Sequence, residues 1–240
     1  MDEMIEIEFV ARSPEIRDLD EVIKVLEQSF RGSEDVNIEH LALFVLSLGM
    51  KRFCGSVLTT EDDFDIDGEV FSLATIIPLK GTTEELHQIS RMLIRHMSNI
   101  AANDGRQELL SLLSSSDSNV GLIISERMMK LPPYIAEPIY RDLANDVKEA
   151  QNKNLLFNFT HYAIISKVMV PSDPQMALIM GSMGDTYLNQ EEEFLGPECD
   201  FMVDTKMSKS HGDLTETKKI MVFKAEKLDK IVNIIREKLG

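Results

Sequence analysis

Apolar residues along this chain recur with two different periods, and these periods predict strands and helices. In residues 5–9 apolar side chains alternate with glutamates, as expected for a half-buried strand. From Asp18 they recur at every third or fourth position, which predicts an amphipathic helix that ends at Arg31 and Gly32. The same period predicts five later helices: 37–48 with Asn37 as its cap, one after Gly81, one after Gly105, one around Leu143 with Pro138 in its first turns, and one from Leu228.

Strands are predicted between these helices, and the longest of them is expected to be central. Residues 157–170 are apolar on both faces, a pattern that favours a strand with neighbours on each side. Further strands are predicted at 53–59, 70–77, 120–124, near Phe201 and at 219–223. This order of elements predicts an α/β (α+β) fold, in which helices cover a mixed sheet. The serine-rich segment 114–118 is the clearest linker by composition but is short, so we expect residues 1–240 to form a single domain.

Composition and charge exclude several classes of protein. The 240 residues are 43% hydrophobic and include 41 acidic against 25 basic side chains, which gives a net charge of −16. Such a chain can bury a core but lacks the basic surface that nucleic-acid binding requires. Its two cysteines match neither a zinc site nor a redox motif. Because residues 1–9 lack the features of a secretory signal and no apolar run is long enough to span a membrane, we expect a soluble intracellular protein.

The negative charge is concentrated in parts of the sequence. Residues 1–119 hold 23 acidic and 10 basic side chains, a charge of −13, whereas the remaining residues contribute −3. The predicted partner-binding residues are the acidic run Glu61, Asp62, Asp63, Asp65, Asp67 and Glu69 between two strands, and the triplet Glu191, Glu192 and Glu193. These carboxylates predict a face that attracts a cationic partner, although a solvated loop that aids solubility has the same composition.

The acidic run is also the best metal candidate in the sequence. Asp63, Asp65, Asp67 and Gly68 match positions 1, 3, 5 and 6 of an EF-hand calcium loop. Position 12 should supply a bidentate glutamate but is Ala74, and the flanking residues are predicted to be strands where the motif has helices. We therefore predict no rigid calcium site, and a calcium sensor is the weakest of the hypotheses considered.

No catalytic or cofactor-binding residue is predicted. The five histidines are scattered without the spacing of a zinc motif, and His161 in the predicted central strand is most simply a core histidine. No nucleophile elbow, phosphate loop or dinucleotide fingerprint is present. Ser125, Glu126 and Arg127 follow a strand, where active-site residues often lie, but Glu126 and Arg127 are equally typical of a structural ion pair.

Several segments of the chain resemble one family. Residues 120–140 read VGLIISER and, after four residues, PPYIAEPIY, which resembles the VGLLxSER and PPxIAxPxY elements that identify the BCCIP/Bcp family. Five further segments resemble, in order, its opening strand, the strand after an acidic loop, the LISK strand, the EEEF element, and the closing strand and helix: 5–9, 69–71, 164–167, 191–194 and 221–239. Together they cover nearly the whole chain.

The resemblance implies a nuclear protein without enzymatic activity that shuttles with the cytoplasm. Fungal members of the family are similar to dedicated chaperones and export escorts, which bind a newly made large-subunit ribosomal protein of the universal L14 type and assist export of a phosphatidylinositol-phosphate kinase. Animal members are named for binding a recombination mediator and a cyclin-kinase inhibitor. The family fold resembles that of the GNAT acetyltransferases without their activity, which implies a mixed, mostly antiparallel sheet.

Three hypotheses follow from the residues and the resemblance together. The leading one is an acidic escort for a basic ribosomal protein, in which carboxylates screen the client's lysines and arginines until they meet ribosomal RNA. The second is an adaptor in DNA repair and cell-cycle control. The third is a GNAT-like acyltransferase, which is disfavoured because the sequence has no R-x-x-G-x-[GA] element for acetyl-CoA. Family members commonly carry a long acidic N-terminal tail and often a lysine-rich insertion after the LISK strand, whereas this sequence starts almost at the first strand and has no basic cluster in residues 171–175. We therefore expect either a trimmed sequence or a compact family member, without an evident nuclear-import signal of its own.

Overall fold

The structure is a computed structural model that describes residues 9–30, 35–51, 54–60, 69–81, 83–98, 104–128, 131–153, 157–173, 186–211 and 213–240. The strands within these ranges are β1 (Phe9–Arg12), β2 (Ser56–Thr60), β3 (Ser72–Pro78), β4 (Val120–Arg127), β5 (His161–Pro171), β6 (Thr186–Tyr187), β7 (Phe201–His211) and β8 (Leu214–Lys224). The α-helices are α1 (Leu19–Phe30), α2 (Ile38–Met50), α3 (Glu84–Ser98), α4 (Asp104–Ser114), α5 (Ala136–Lys153), α6 (Gln190–Leu195) and α7 (Leu228–Leu239).

The described strands form one sheet in the order β1-β2-β3-β4-β5-β8-β7, and β6 pairs with the end of β5. Every pairing is antiparallel except that of β4 with β5, which is parallel. A parallel pair needs a crossover connection, and α5 lies in it. The prediction of a mixed, mostly antiparallel sheet covered by helices is therefore confirmed, and the strand predicted to be central is β5.

Helices cover both faces of the sheet, and alternate side chains of each strand enter different cores. Leu122 and Ile124 of β4 pack with α1 to α4, whereas Ile123 between them packs with α5, α6 and α7. In β5, Ala163 belongs to the first core and Tyr162 to the second. Because both faces are buried, these strands read as continuous apolar runs without polar alternation.

Local signals in the sequence account for where several elements begin and how closely they pack. The Asn37 side chain accepts a hydrogen bond from the backbone N–H of His40 at 3.0 Å and so caps α2, as predicted. In β4, a Cβ added to Gly121 would lie 2.8 Å from Cγ2 of Ile76 and 3.0 Å from the ring of Phe159. Only glycine allows the neighbouring strand and the aromatic ring to approach this closely.

Some elements differ from the sequence-based expectations. The strands expected near Phe201 and at 219–223 are two paired strands of 11 residues each, and β4 extends three residues beyond its predicted end. The sequence patterns predict neither β6 nor α6, because two and six residues are too few to show a period.

The serine-rich segment expected to be a linker is a structured turn after α4. The ammonium of Lys80 donates hydrogen bonds to the carbonyls of Ser115 and Ser118, and the Ser118 hydroxyl donates to the carbonyl of Leu112. The last carbonyls of a helix have no partner within the helix, and the Ser118 hydroxyl supplies one for Leu112 in the last turn of α4. The composition of this segment is typical of a linker, but Lys80, two residues after β3, holds it in a defined turn.

Candidate functional site

The predicted acidic run lies mostly beyond what the structure describes. Glu61, Asp62, Asp63, Asp65 and Asp67 belong to residues 61–68, between β2 and β3 and outside the described residues. Glu69 is described and is exposed shortly before β3. The pKa of Lys24 on α1 is raised, mainly by its hydrogen bond with Glu21, and Glu69 adds to the effect. Glu69, at the end of the acidic run, therefore adds to the negative charges that act on Lys24.

The predicted acidic triplet does not form a common surface. Glu191, Glu192 and Glu193 make up the first turn of α6. Glu191 is 0% exposed and Glu192 is 2% exposed, whereas Glu193 is exposed. The expectation that all three face a partner is wrong for Glu191 and Glu192, because their carboxylates bond to groups inside the protein. Glu193 stays a predicted partner-binding residue.

The two buried glutamates lie where β4 and β5 separate. The parallel pairing of these strands runs from Val120 with His161 to Ile123 with Ile164. Beyond this point β4 continues beside β3 and β5 continues beside β8. We call this place the fork and define it by Ser125, Glu126 and Arg127 of β4, Ser166 and Lys167 of β5, and the side chains that contact them.

One cluster of the fork lies on the side of the sheet that α1 covers. Lys167 Nζ lies 2.5 Å from Glu126 Oε2, and the two side chains are 7% and 4% exposed. The Ser29 hydroxyl of α1 donates to the other oxygen of Glu126, and Lys218 of β8 donates to the Ser29 carbonyl. Ser29 is the penultimate residue of α1, so the Lys218 ammonium also meets the negative end of the helix dipole.

A second cluster lies on the opposite side of the sheet, beneath α6. Arg127 donates two parallel hydrogen bonds to Glu191, at 2.6 and 2.7 Å. Glu192 accepts from the Ser166 hydroxyl at 2.5 Å and from the Asn189 amide at 2.9 Å. Adjacent glutamates of one short helix thus have different partners: a cation for Glu191 and neutral donors for Glu192.

Burial is the main influence on the ionisation of this second cluster. The pKa of Glu192 is raised to about 8: burial is the largest cause and the carboxylates of Glu191 and Glu126 add to it, while the hydrogen bonds from Asn189 and Ser166 act in the opposite direction. The neighbouring Tyr140 of α5 is fully buried, and burial also raises the pKa of its hydroxyl. Glu192 is therefore mostly protonated at pH 7, and the cluster contains one ion pair and one neutral acid.

Little free space remains in the fork. Its cavity has a volume of about 10 Å³ and is lined by side chains that include Ser29, Glu126, Ile165 and Glu192. This is about the space that one water molecule needs, whereas ligand sites occupy roughly 300 Å³ or more. The fork is a packed structural centre, and the functional surface must be sought elsewhere.

The remaining candidates from the sequence have structural roles. Glu126 and Arg127 form ion pairs as one interpretation expected, but with Lys167 and Glu191 and not with each other. His161 is half-buried at the start of β5, where burial lowers its pKa. In the described ranges, no three His, Cys, Asp or Glu side chains are grouped to hold a metal, and no helix has both the length and the apolar character to cross a membrane.

Sequence reasoning missed most of the residues that complete the fork. Lys167 is the one that left a signal, since a lysine within the apolar strand IISKVMV requires a buried partner. Ser29, Asn189 and Lys218 left none. Their partners lie at distant positions in the sequence, as for Ser29 and Glu126, which are 97 residues apart.

The fork unites three segments that carry the family resemblance. VGLIISER is β4, IISK lies in β5 and EEEF lies in α6. Their charged residues are the ones that pair across the fork, so the recognisable motifs hold the centre of the sheet together.

Comparison with known proteins agrees with the family resemblance seen in the sequence. The sequence matches the BCCIP family over residues 4–228, and the chain belongs to that family. It is 27% identical to the human BRCA2 and CDKN1A-interacting protein, over 100% of this chain and 83% of the human one. It is 23% identical to the Protein BCCIP homolog of Drosophila melanogaster, over 98% of this chain and 84% of that protein.

A solved structure shows the same fold. The crystal structure of BCP1 from Saccharomyces cerevisiae superposes with a TM-score of 0.67 at 15% identity, and the match covers 97% of this chain and 89% of BCP1. The N-acyl amino acid synthase FeeM gives a TM-score of 0.46 at 10% identity, which is too low to support any inference about activity.

Proposed function

We propose that this protein is a non-enzymatic nuclear chaperone, or escort, for a basic large-subunit ribosomal protein of the universal L14 type. It shuttles between nucleus and cytoplasm, and it supports nuclear export and assembly of the 60S ribosomal subunit. Membership of the BCCIP family supports this proposal. The observation that carries it is the net charge of −16 with its concentration in the first half of the chain, because a strongly acidic surface attracts and shields a strongly basic client.

The proposed binding surface is centred on the acidic run and continues onto α1. Glu61, Asp62, Asp63, Asp65, Asp67 and Glu69 supply six carboxylates in nine residues, and Asp20 and Glu21 of α1 add two more in its first turn. Glu193 contributes separately on α6. Like charges this close repel one another, and a cationic client relieves that repulsion on binding.

An absence of catalysis belongs to the same proposal. The fork is filled by its own side chains, and its cavity of about 10 Å³ is too small for a substrate or an acyl carrier. Burial raises the pKa of both cysteine thiols, to about 12 for Cys199, so neither thiol is ionised near neutral pH. A GNAT-like acyltransferase is the alternative, and micromolar binding of acetyl-CoA in a calorimetric titration would favour it.

Neutralising part of the acidic run tests whether this surface binds the client. Replacing Asp62, Asp63, Asp65 and Asp67 by asparagine removes four negative charges from the run. Exposed ion pairs contribute about 0.2–1 kcal/mol each, so the loss of four should weaken binding of the client by roughly 4-fold or more, with a weaker dependence on salt. Unchanged affinity and salt dependence would show that the run is only a solvated loop.

The matched control removes four charges from α5 and α7, on the side of the sheet opposite to α1. Asp142→Asn and Glu149→Gln on α5, with Asp229→Asn and Glu237→Gln on α7, change the net charge equally at exposed positions. Binding of the client by this variant should stay close to that of the wild type. An equal loss in both variants would mean that total charge matters and that no particular surface is used.

A second candidate function is an adaptor in DNA repair and cell-cycle control. The name of the human relative, BRCA2 and CDKN1A-interacting protein, favours it. A lipid kinase export cargo is a further possible partner under the escort proposal. Affinity purification from nuclear and cytosolic extracts of the source organism, followed by mass spectrometry, distinguishes these partners, since the escort proposal requires a basic ribosomal protein in near-stoichiometric yield.

A further inference from the structure

The short helix α6 is attached to the sheet in an unusual way, because two adjacent glutamates enter the interior side by side. Glu191 and Glu192 are both buried, although α6 has only six residues. Apolar contacts of α6 include Leu195, which belongs to the core formed with α5 and α7. The contacts of the two carboxylates therefore add to the apolar contacts of Leu195 in holding α6 against the fork.

On the α6 side of the fork, the described acidic side chains outnumber the basic ones. Arg127 is the cation there, and both of its terminal nitrogens are bonded to Glu191. Glu192 receives hydrogen bonds from Ser166 of β5 and from Asn189, which are neutral. With Glu192 ionised, two buried carboxylates would share one arginine.

Charged and titratable groups on the surrounding elements do not relieve this imbalance. From β4, Glu126 adds a further negative charge and is paired with Lys167 of β5. From β8, Lys218 donates to Ser29 on the α1 side of the sheet. From α5, Tyr140 presents a neutral hydroxyl, and its pKa is raised mainly by burial, with further contributions from Glu191 and Glu192. Lys227, just before α7, bonds to Asp200, and Lys230 of α7 bonds to Glu198.

We propose that α6 is a proton-dependent latch: loss of the Glu192 proton weakens the attachment of Thr186–Leu195 to the fork while the rest of the sheet stays folded. In the closed state the protonated acid bonds to Ser166 and Asn189 without an unpaired charge. Among the described residues, a carboxylate at the same place has no cation of its own, and it is stabilised by release into water.

The direction of the pH dependence follows from where the acid is more easily ionised. Burial raises the pKa of Glu192 to about 8 in the closed state, and exposure on opening returns it toward its ordinary value of 4.5. Between these values the closed state binds one more proton than the open state. The opening equilibrium constant therefore rises about tenfold per pH unit across that window and levels off above it.

Hydrogen exchange followed by mass spectrometry on the full-length protein tests the latch. After correction for intrinsic exchange, peptides covering 186–196 in the wild type should lose protection by about 10-fold per unit between pH 5.5 and 7.5. Peptides of α7 should not follow this trend. Glu192→Gln keeps the size of the side chain but cannot ionise, so its 186–196 protection should be independent of pH. In this exchange experiment on the free protein, Glu193→Gln, which changes an exposed neighbour, should keep the pH-dependent protection of the wild type.

Two results would overturn the proposal: pH-independent protection of 186–196 in the wild type, or the same pH dependence in Glu192→Gln. If that variant fails to fold, a carbon-13 titration of the wild-type side-chain carboxyls decides the matter. A Glu192 midpoint above pH 7 supports the latch, and a midpoint at or below pH 7 contradicts it.

Discussion

The ion pair between Glu126 and Lys167 offers the sharpest test of the fork. The amino and carboxylate groups lie 2.5 Å apart and are almost fully buried, at 7% and 4% exposure. Glu126→Gln leaves the lysine ammonium buried without its counter-charge, and Lys167→Met leaves the carboxylate in the same position. Removing one partner of a buried pair costs about 3–5 kcal/mol, so we expect each single variant to lose roughly that much of its free energy of unfolding.

The double variant separates the pair from the rest of the structure. Glu126→Gln with Lys167→Met leaves no buried charge at the pair, and we expect it to be more stable than either single variant by about 2 kcal/mol or more. The exposed pair of Glu149 and Lys153, 3.6 Å apart at 73% and 50% exposure, is the matched control. Its equivalent substitutions should change stability by less than about 0.5 kcal/mol.

Urea denaturation followed by circular dichroism measures these differences, since the chain contains no tryptophan to serve as a fluorescent probe. With a slope of about 3 kcal/mol per molar urea, a loss of 3 kcal/mol shifts the midpoint by about 1 M. Single variants within about 1 kcal/mol of the wild type would refute the view that the fork depends on this pair. A double variant as unstable as the sum of the single ones would refute the coupling.

Three further predictions concern packing, acid stability and helix capping. Gly121→Ala should destabilise the protein by about 1–3 kcal/mol in the same urea assay, because its Cβ would contact Ile76 and Phe159 too closely. Gly196→Ala is the control: its Cβ would lie no closer than 3.9 Å to Met221, so overpacking should cost less than about 1 kcal/mol. Burial opposes ionisation of Asp18, but hydrogen bonds from Arg12 and the Glu15 N–H outweigh it and lower the pKa of the carboxyl. The ionised carboxylate therefore stabilises the folded protein above about pH 4, and this contribution is lost as the pH falls. Asp18→Asn should accordingly flatten the acid side of a plot of melting temperature against pH. Asn37→Ala should cost about 1 kcal/mol through loss of the α2 cap, and an unchanged melting temperature would contradict it.

Strong periodicity accounts for what the sequence could predict of the fold. One face is buried in each of the helices that begin near Asp18 and Leu228, and both faces are buried in β5. The spacing of apolar residues in the sequence indicates which faces are buried. β7 and β8 were underestimated because their outer halves are polar, as in the segment 215–219, so pairing between strands extends well past the apolar pattern. The length over which two strands pair depends on both segments, whereas the spacing of apolar residues describes one segment at a time.

The candidate site was harder to predict because charge in a sequence does not reveal exposure. Glu191 and Glu193 are two residues apart in the same acidic triplet, yet one is buried against Arg127 and the other is exposed. Their difference depends on an arginine 64 positions away. The sequence shows how acidic and basic residues are distributed along the chain, whereas the structure is needed to tell which carboxylates are exposed.

The fork also constrains the order in which the chain can fold. Its contacts join Ser29 near one end of the chain to Lys218 near the other, 189 residues apart. Closing loops of this length is slow compared with forming a helix or hairpin, and it cannot occur on the ribosome until β8 has left the exit tunnel. Until then the cluster on the α1 side lacks Lys218, so the fork is completed only after most of the chain has been synthesised.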